Sequence, residues 1–436
     1  MDILNSYSFI IIATLVIILS YFFNQVAKRT NIPAVLLLIL TGILLKYLMD
    51  LFHIPDFNFF PILEVLGIVG LIMIVLEASL ELNLKKEKLP IIWKALTIAA
   101  VGLVATSFSS AFVINFFIDS MDIWTALLYA IPLSILSSAI IIPSVGNLIQ
   151  AKKEFHVYES TFSDILGIIL FYLVLGHVQS DGAGNVVVDF FGNTALTIVI
   201  AVVASYALIL LFQKIRTPVK LFLLLAILLL IYAIAKLMHL SPLIIILVFG
   251  VIMANEQIFF RGFIKRWLDK SALEEIRSEF HLVTIESAFV IRTFFFVVFG
   301  ITISLASLVN LEVVAMSLCL LVLAFLLRFL LLRIFWGKDI HPQLLTAPRG
   351  LITVLLFFAI PEDVASAEFD QGVLLFVIIA TSLLMTFALI RAGKRVEPVE
   401  LDDKGLEEPS PEEKVPNQVL LPNQQSGDHP ANREGL

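Results

Sequence analysis

Apolar stretches long enough to cross a hydrocarbon core recur from Phe9 to Ile390. About 20 residues suffice for each helical crossing of a ~30 Å core. In lipid every backbone N–H and C=O has to be paired within the protein, so such a chain folds as a bundle of helices. The first stretch is one span among many rather than a cleaved leader, and the N-terminus is expected to be that of the mature chain. Of the 436 residues 59% are hydrophobic and 15% charged, against about 25% charged in soluble domains. The single cysteine, Cys319, lies in an apolar run, which excludes an internal disulfide, a Cys-rich metal site and Cys-based redox chemistry. The net charge of −7 owes much to an acidic tail and points to no nucleic-acid partner.

The spacing predicts an all-α polytopic membrane protein of about thirteen transmembrane helices. The first six are expected near Phe9 to Val26, Ile32 to Leu48, Phe60 to Leu82, Ile91 to Ile118, Ile123 to Ile149 and Tyr158 to Val178. The others are expected near Val188 to Phe212, Val219 to Met238, Pro242 to Phe259, Phe280 to Leu305, Val309 to Phe335, Leu344 to Ile360 and Val373 to Ile390.

Basic residues fall in alternate loops, from Lys28 and Arg29 through Lys85, Lys152, Lys214 and Arg261 to Arg333 and Arg391. The intervening loops carry acids such as Asp50, Asp119, Asp181 and Glu362. By the positive-inside rule the N-terminus is outside and the C-terminus is cytoplasmic in a cell inner membrane. With the seventh helix as linker, helices one to six and eight to thirteen run in opposite senses, the topology of an inverted repeat. Pro143 interrupts the expected fifth helix and Pro348-Arg349-Gly350 opens the twelfth. Paired broken helices in corresponding positions point to a transport site, although proline is also simply common in membrane helices.

The segment 261–279 alternates Trp267, Leu268, Leu273 and Ile276 with charges at helical spacing and is expected to lie at the membrane interface. The membrane domain is placed at 1–396, and residues 397–436, rich in Pro, Glu, Asp, Asn and Gln, are expected to be a disordered cytoplasmic tail.

A charge in mid-membrane costs about 2.5 to 3.5 kcal/mol, so each one needs a reason. Asp164 sits a few residues inside the expected sixth helix with no base close in sequence and leads as carrier of cation and proton. A hard cation prefers oxygen ligands, and the same oxygen can take a proton when the ion leaves. The bland alternative is an aspartate that caps or pairs a helix. Glu77 lies deeper in the third helix than Glu81 and could supply a second oxygen, whereas Glu81 is expected to pair with Lys85 four residues on. Ser137, Ser138 and Ser144 bracket the expected break of the fifth helix, as ion ligands or as back-bonding hydroxyls. Arg292, within the tenth helix, needs a carboxylate or polar partner, and Glu159 with Arg349 forms a plausible structural pair. Glu64, Glu286, Arg328 and His177 lie near helix ends, where snorkelling suffices, and are assigned no chemistry.

At these residues the sequence resembles the monovalent cation/proton antiporters, the sodium/proton exchangers among them. Glu159-Ser160-Thr161-Phe162-Ser163-Asp164 is similar to the family's Glu-Ser-x-x-Asn-Asp segment, with Ser163 in place of the asparagine. Leu76 to Leu84 resembles a Phe-Glu-Gly-Gly-Leu-x-Leu-Asp-Leu stretch in which Glu77 takes the glutamate's place. Ser137-Ser138-Ala139-Ile140-Ile141 is similar to the Ser-Ser-Thr-Ala-Ile form of the broken helix, and Pro348-Arg349-Gly350 to a Leu-Arg-Gly motif. Arg292 lies where the family carries a lysine or arginine.

The resemblance implies a homodimer in membrane lipid that exchanges protons for a monovalent cation by alternating access. Sodium comes first, with lithium or potassium as alternatives. Asp164 and Glu77 would hold the transported cation, with Ser163, Ser137 and Ser138 beside them and Glu159, Arg349 and Arg292 in structural or charge-compensating roles. One principal carrier carboxylate favours electroneutral exchange, and no cofactor is implied. The rival readings are a cation channel and a tail-regulated potassium efflux system. An intramembrane enzyme is disfavoured, because the spans hold no His-Glu-x-x-His motif and no obvious Ser/His pairing.

Overall fold

The apolar stretches are helices in the computed structural model, which describes residues 6–30, 32–52, 60–82, 84, 86–146, 148–179, 186–215, 217, 220–238, 240, 242–260, 269–303 and 305–393. In chain order they are α1 (Ser6–Thr30), α2 (Ala34–Leu51), α3 (Phe60–Glu81), α4 (Leu89–Phe117), α5 (Ile123–Ser134), α6 (Ser138–Ser144), α7 (Gln150–Gln179) and α8 (Val186–Phe212). There follow α9 (Lys220–Leu237), α10 (Pro242–Ala254), α11 (Glu256–Phe259), α12 (Lys270–Thr302), α13 (Leu311–Phe335), α14 (Leu351–Phe358) and α15 (Gly372–Gly393). Asp122 caps α5 by accepting from the Thr125 N–H at 3.1 Å, and Asn310 caps α13 through the Glu312 N–H at 3.0 Å.

Among the described residues eleven helical stretches are long and apolar enough to cross a membrane, with α5 and α6 taken together as one. The expected thirteen differs from this by two short elements. The apolar α10 is only 13 residues long, and the stretch expected as the twelfth span holds only the eight-residue α14. The chain before α14, residues 346–350, is non-helical.

Two expectations are corrected. The fifth helix is interrupted at 135–137 and not at Pro143, which sits inside α6. The Leu136 and Ser137 N–H groups and the Leu133 carbonyl, freed by this break, all find partners elsewhere in the protein, as a break inside a membrane requires. Of the segment expected at the interface, Leu273 and Ile276 belong to the start of α12 and are buried in the core with Phe212 and Phe249; Trp267 and Leu268 lie outside the described residues. The helix carrying Asp164 begins at Gln150, eight residues earlier than expected. Lys85 and the segment 397–436 also lie outside the described residues.

Large aromatic side chains fill the main core: Phe171, Phe249, Phe280, Phe295, Phe296 and Phe299 are fully buried. α1 turns Tyr7, Ile10, Ile11, Leu15 and Phe22 outward, as a helix facing lipid does. α2 and α12 cross at Gly42 and Gly300, where a Cβ on either glycine would run into the backbone of the other helix. Such close approach of small residues lets membrane helices pack tightly without a hydrophobic driving force.

Candidate functional site

The two non-helical stretches cross. The Ser137 N–H donates to the Pro348 carbonyl at 2.9 Å, and the Leu136 N–H donates to Ser163 Oγ on α7 at 3.0 Å. The Leu133 carbonyl, left free at the end of α5, accepts from Arg349 Nε at 2.8 Å, while Arg349 Nη1 donates to the Ala347 carbonyl at 2.7 Å. The Arg349 N–H donates to Thr381 Oγ1 on α15 at 3.0 Å. Gly350 completes the joint, since a Cβ there would stand 2.5 Å from Ser137 Oγ and 2.7 Å from Ile140 Cδ1.

Asp164 stands on α7, one residue beyond the serine that pins this joint. Its side chain is buried and neither carboxylate oxygen accepts a hydrogen bond. Ser138, the first residue of α6, is its polar neighbour but does not reach hydrogen-bond geometry. A buried carboxylate with its lone pairs unused is costly as an anion unless a proton or a cation joins it.

Glu159, five residues earlier on α7, is satisfied. Arg328 on α13 grips it with Nη1 to Oε1 at 2.7 Å and Nη2 to Oε2 at 2.9 Å. The same guanidinium donates from Nε to the Gln343 carbonyl at 3.0 Å and from Nη2 to the Thr346 carbonyl at 3.3 Å, which ties the approach to α14 onto α13. His156 Nδ1 lies 3.5 Å from Glu159 Oε2 without hydrogen-bond geometry, and the ring is fully buried. The pairing expected between Glu159 and Arg349 is therefore replaced. Arg328 takes the carboxylate because it can meet both oxygens at once, and Arg349 is consumed by main-chain carbonyls.

Arg292 on α12 finds Glu77 on α3, Nη2 to Oε1 at 3.5 Å. Both line a cavity of about 350 Å³ between α1, α2, α3, α6 and α12, together with Glu81, Ser138, Ser144 and Thr293. Asp164 is not in the lining; Ser138 stands between the cavity and the carboxylate. Glu81 lies 4.0 Å from His281 Nε2. Ser144 Oγ back-bonds to the Ile140 carbonyl at 2.7 Å. The cavity thus reaches Ser138 at the crossing through a largely apolar lining that carries one ion pair, Arg292 with Glu77.

The family described as sodium/hydrogen exchanger, transmembrane, matches residues 10–392. The chain belongs to that family. Its fold is similar to that of the sodium proton antiporter MjNhaP1 from Methanocaldococcus jannaschii at pH 8, with a TM-score of 0.65, 18% identity, and coverage of 88% of this chain and 98% of that one. An electron-microscopy structure of the same antiporter gives a TM-score of 0.63 at 18% identity over 90% of this chain and 96% of that one. Among curated proteins no significant match is found.

In this sodium/hydrogen exchanger family member the crossing brings together Asp164, Ser163, Ser137, Ser138 and Arg349, while Glu77 and Arg292 face the adjoining cavity. Sequence reasoning missed Arg328 and His156. Arg328 lies seven residues from the end of α13, which hid its burial. Its signal was the shortage of bases able to meet Glu159 inside the bundle. The hydrogen bond between Ser20 Oγ and Thr293 Oγ1, 2.6 Å across α1 and α12, left no sequence signal at all.

Proposed function

We propose that this protein exchanges a monovalent cation, sodium first, for protons across the membrane, with Asp164 as the group that binds one or the other. The observation that carries the reading is the Asp164 carboxylate, buried beside the crossing with both oxygens unsatisfied. Either a proton or a hard cation relieves that state, so the two compete for one place, and competition at a single site couples their fluxes. Ser138 supplies a neutral oxygen beside it, while Ser163 and Arg349 hold the break in shape. Glu77 and Arg292 line the approach.

Access alternates between the two sides as the crossing moves relative to the helices around the cavity. The inverted repeat, an outside N-terminus and a homodimer in an inner membrane complete the reading. One carboxylate exchanging one cation for one proton moves no net charge.

The test is recovery of a pH-sensitive dye in acidified proteoliposomes on adding sodium, lithium or potassium, with wild type and Asp164→Asn side by side. Wild-type recovery with at least one cation, abolished in the variant, is the expected result and names the ion. Recovery that persists in Asp164→Asn removes this carboxylate from the mechanism, and no recovery with any cation removes antiport itself.

A further inference from the structure

At one end of the bundle the first turns of α4 and the last turn of α13 meet. Leu332 is buried there with Ile92, Ala95 and Phe155, and Trp336 packs on Phe155 with ring centroids 4.5 Å apart. On the outer side of this contact the Lys94 ammonium lies 5.2 Å from the Trp336 ring. Arg333 precedes Trp336 by one turn and Lys338 follows it closely. All three bases are exposed, and no acidic partner stands against them among the described residues.

Neighbouring acids do not cancel this charge. Glu154 is taken by Lys88 at 2.8 Å and Asp339 by Lys152 at 2.7 Å, which leaves exposed Glu87 against three unpaired bases. Trp93, beside Lys94, is exposed, as are Leu330, Ile334 and Phe335 on α13. Tryptophan settles at the headgroup level of a bilayer, and lysine and arginine at helix ends extend toward that layer along their apolar stems. Exposed apolar side chains, indoles and unpaired cations gathered at the same two helix ends match the acyl chain, glycerol backbone and phosphate of one lipid. A soluble anion would use only the last of these.

We propose that the ends of α4 and α13 form a binding site for an anionic phospholipid, with Lys94, Arg333 and Lys338 around the headgroup phosphate and Trp93 and Trp336 at its level. The site is distinct from the Asp164 crossing and does not depend on how ions are exchanged there. It does bear on the same helix, because Arg328 lies five residues before Arg333 on α13.

The experiment is native mass spectrometry of the full-length protein titrated with phosphatidylglycerol or phosphatidylcholine. Each base near a membrane surface adds about fivefold to anionic-lipid affinity. Wild type is expected to retain phosphatidylglycerol at least about tenfold more strongly than phosphatidylcholine, and Lys94→Gln/Arg333→Gln/Lys338→Gln to lose most of that preference. If the triple variant does not fold, the single Lys94→Gln exchange serves instead, with an expected drop of about fivefold. No headgroup preference in wild type, or an unchanged preference in the folded variant, overturns the site.

Discussion

Glu159 carries its charge to a place with no exposed surface, and both of its oxygens are held by one residue, Arg328. Desolvating each partner of such a pair costs several kcal/mol, which is recovered only when both oxygens and both guanidinium nitrogens are engaged, as they are here. Removing one partner strands the other. Arg328→Met is expected to lower stability by about 3 kcal/mol or more, measured as the loss of folded protein on heating in detergent. Glu159→Gln combined with Arg328→Met is expected to regain much of that, and a double variant no better than the single would sink the account. The arginine's identity as partner was not legible in the sequence, because 169 residues separate it from Glu159 and its helix position resembles that of an ordinary snorkelling base. Asp164 was legible for the opposite reason, since a carboxylate in an apolar run with no base nearby demands an explanation wherever the chain folds.

The joint between the break after α5 and the non-helical lead into α14 depends on shapes that substitution can probe. A methyl at position 350 points straight at Ser137, so Gly350→Ala is expected to reduce dye-recovery rates at least about tenfold, as misplacement near a site commonly does. Adding Ser137→Gly removes the opposing side chain and is expected to restore part of the rate, while keeping the Ser137 main-chain bond to Pro348. Absence of any rescue would mean that Gly350 matters for another reason. Gly42→Leu acts elsewhere: it drives α2 off α12, and its predicted signature is a lower melting temperature, by several degrees, whatever the transport rate. The existence of a broken fifth helix was legible from its prolines and serines, but its position was not. Proline marks where a hydrogen bond is missing, whereas the break occurs where tertiary partners stand ready for the freed groups: Ser163, Pro348 and Arg349, all far along the chain.

For the molecule as a whole, exchange at one carboxylate predicts a rate indifferent to membrane voltage. Clamping proteoliposomes with potassium and valinomycin at opposite potentials is expected to leave sodium-driven dye recovery unchanged, and a rate that follows the potential would show that a second charge moves. The bundle was readable from hydropathy, because lipid leaves a chain so few options. Hydropathy counted two spans more than length supports, because the apolar stretches 242–259 and 344–360 hold only the short helices α10 and α14 as their main elements. The joint also has a bearing on how such a protein can change over generations. Arg349 rests on the oxygens of Leu133 and Ala347 that belong to the main chain, and every amino acid carries that oxygen. Positions 133 and 347 can therefore be rewritten without losing the anchor, so a lineage is free to change these side chains while inheriting the same joint.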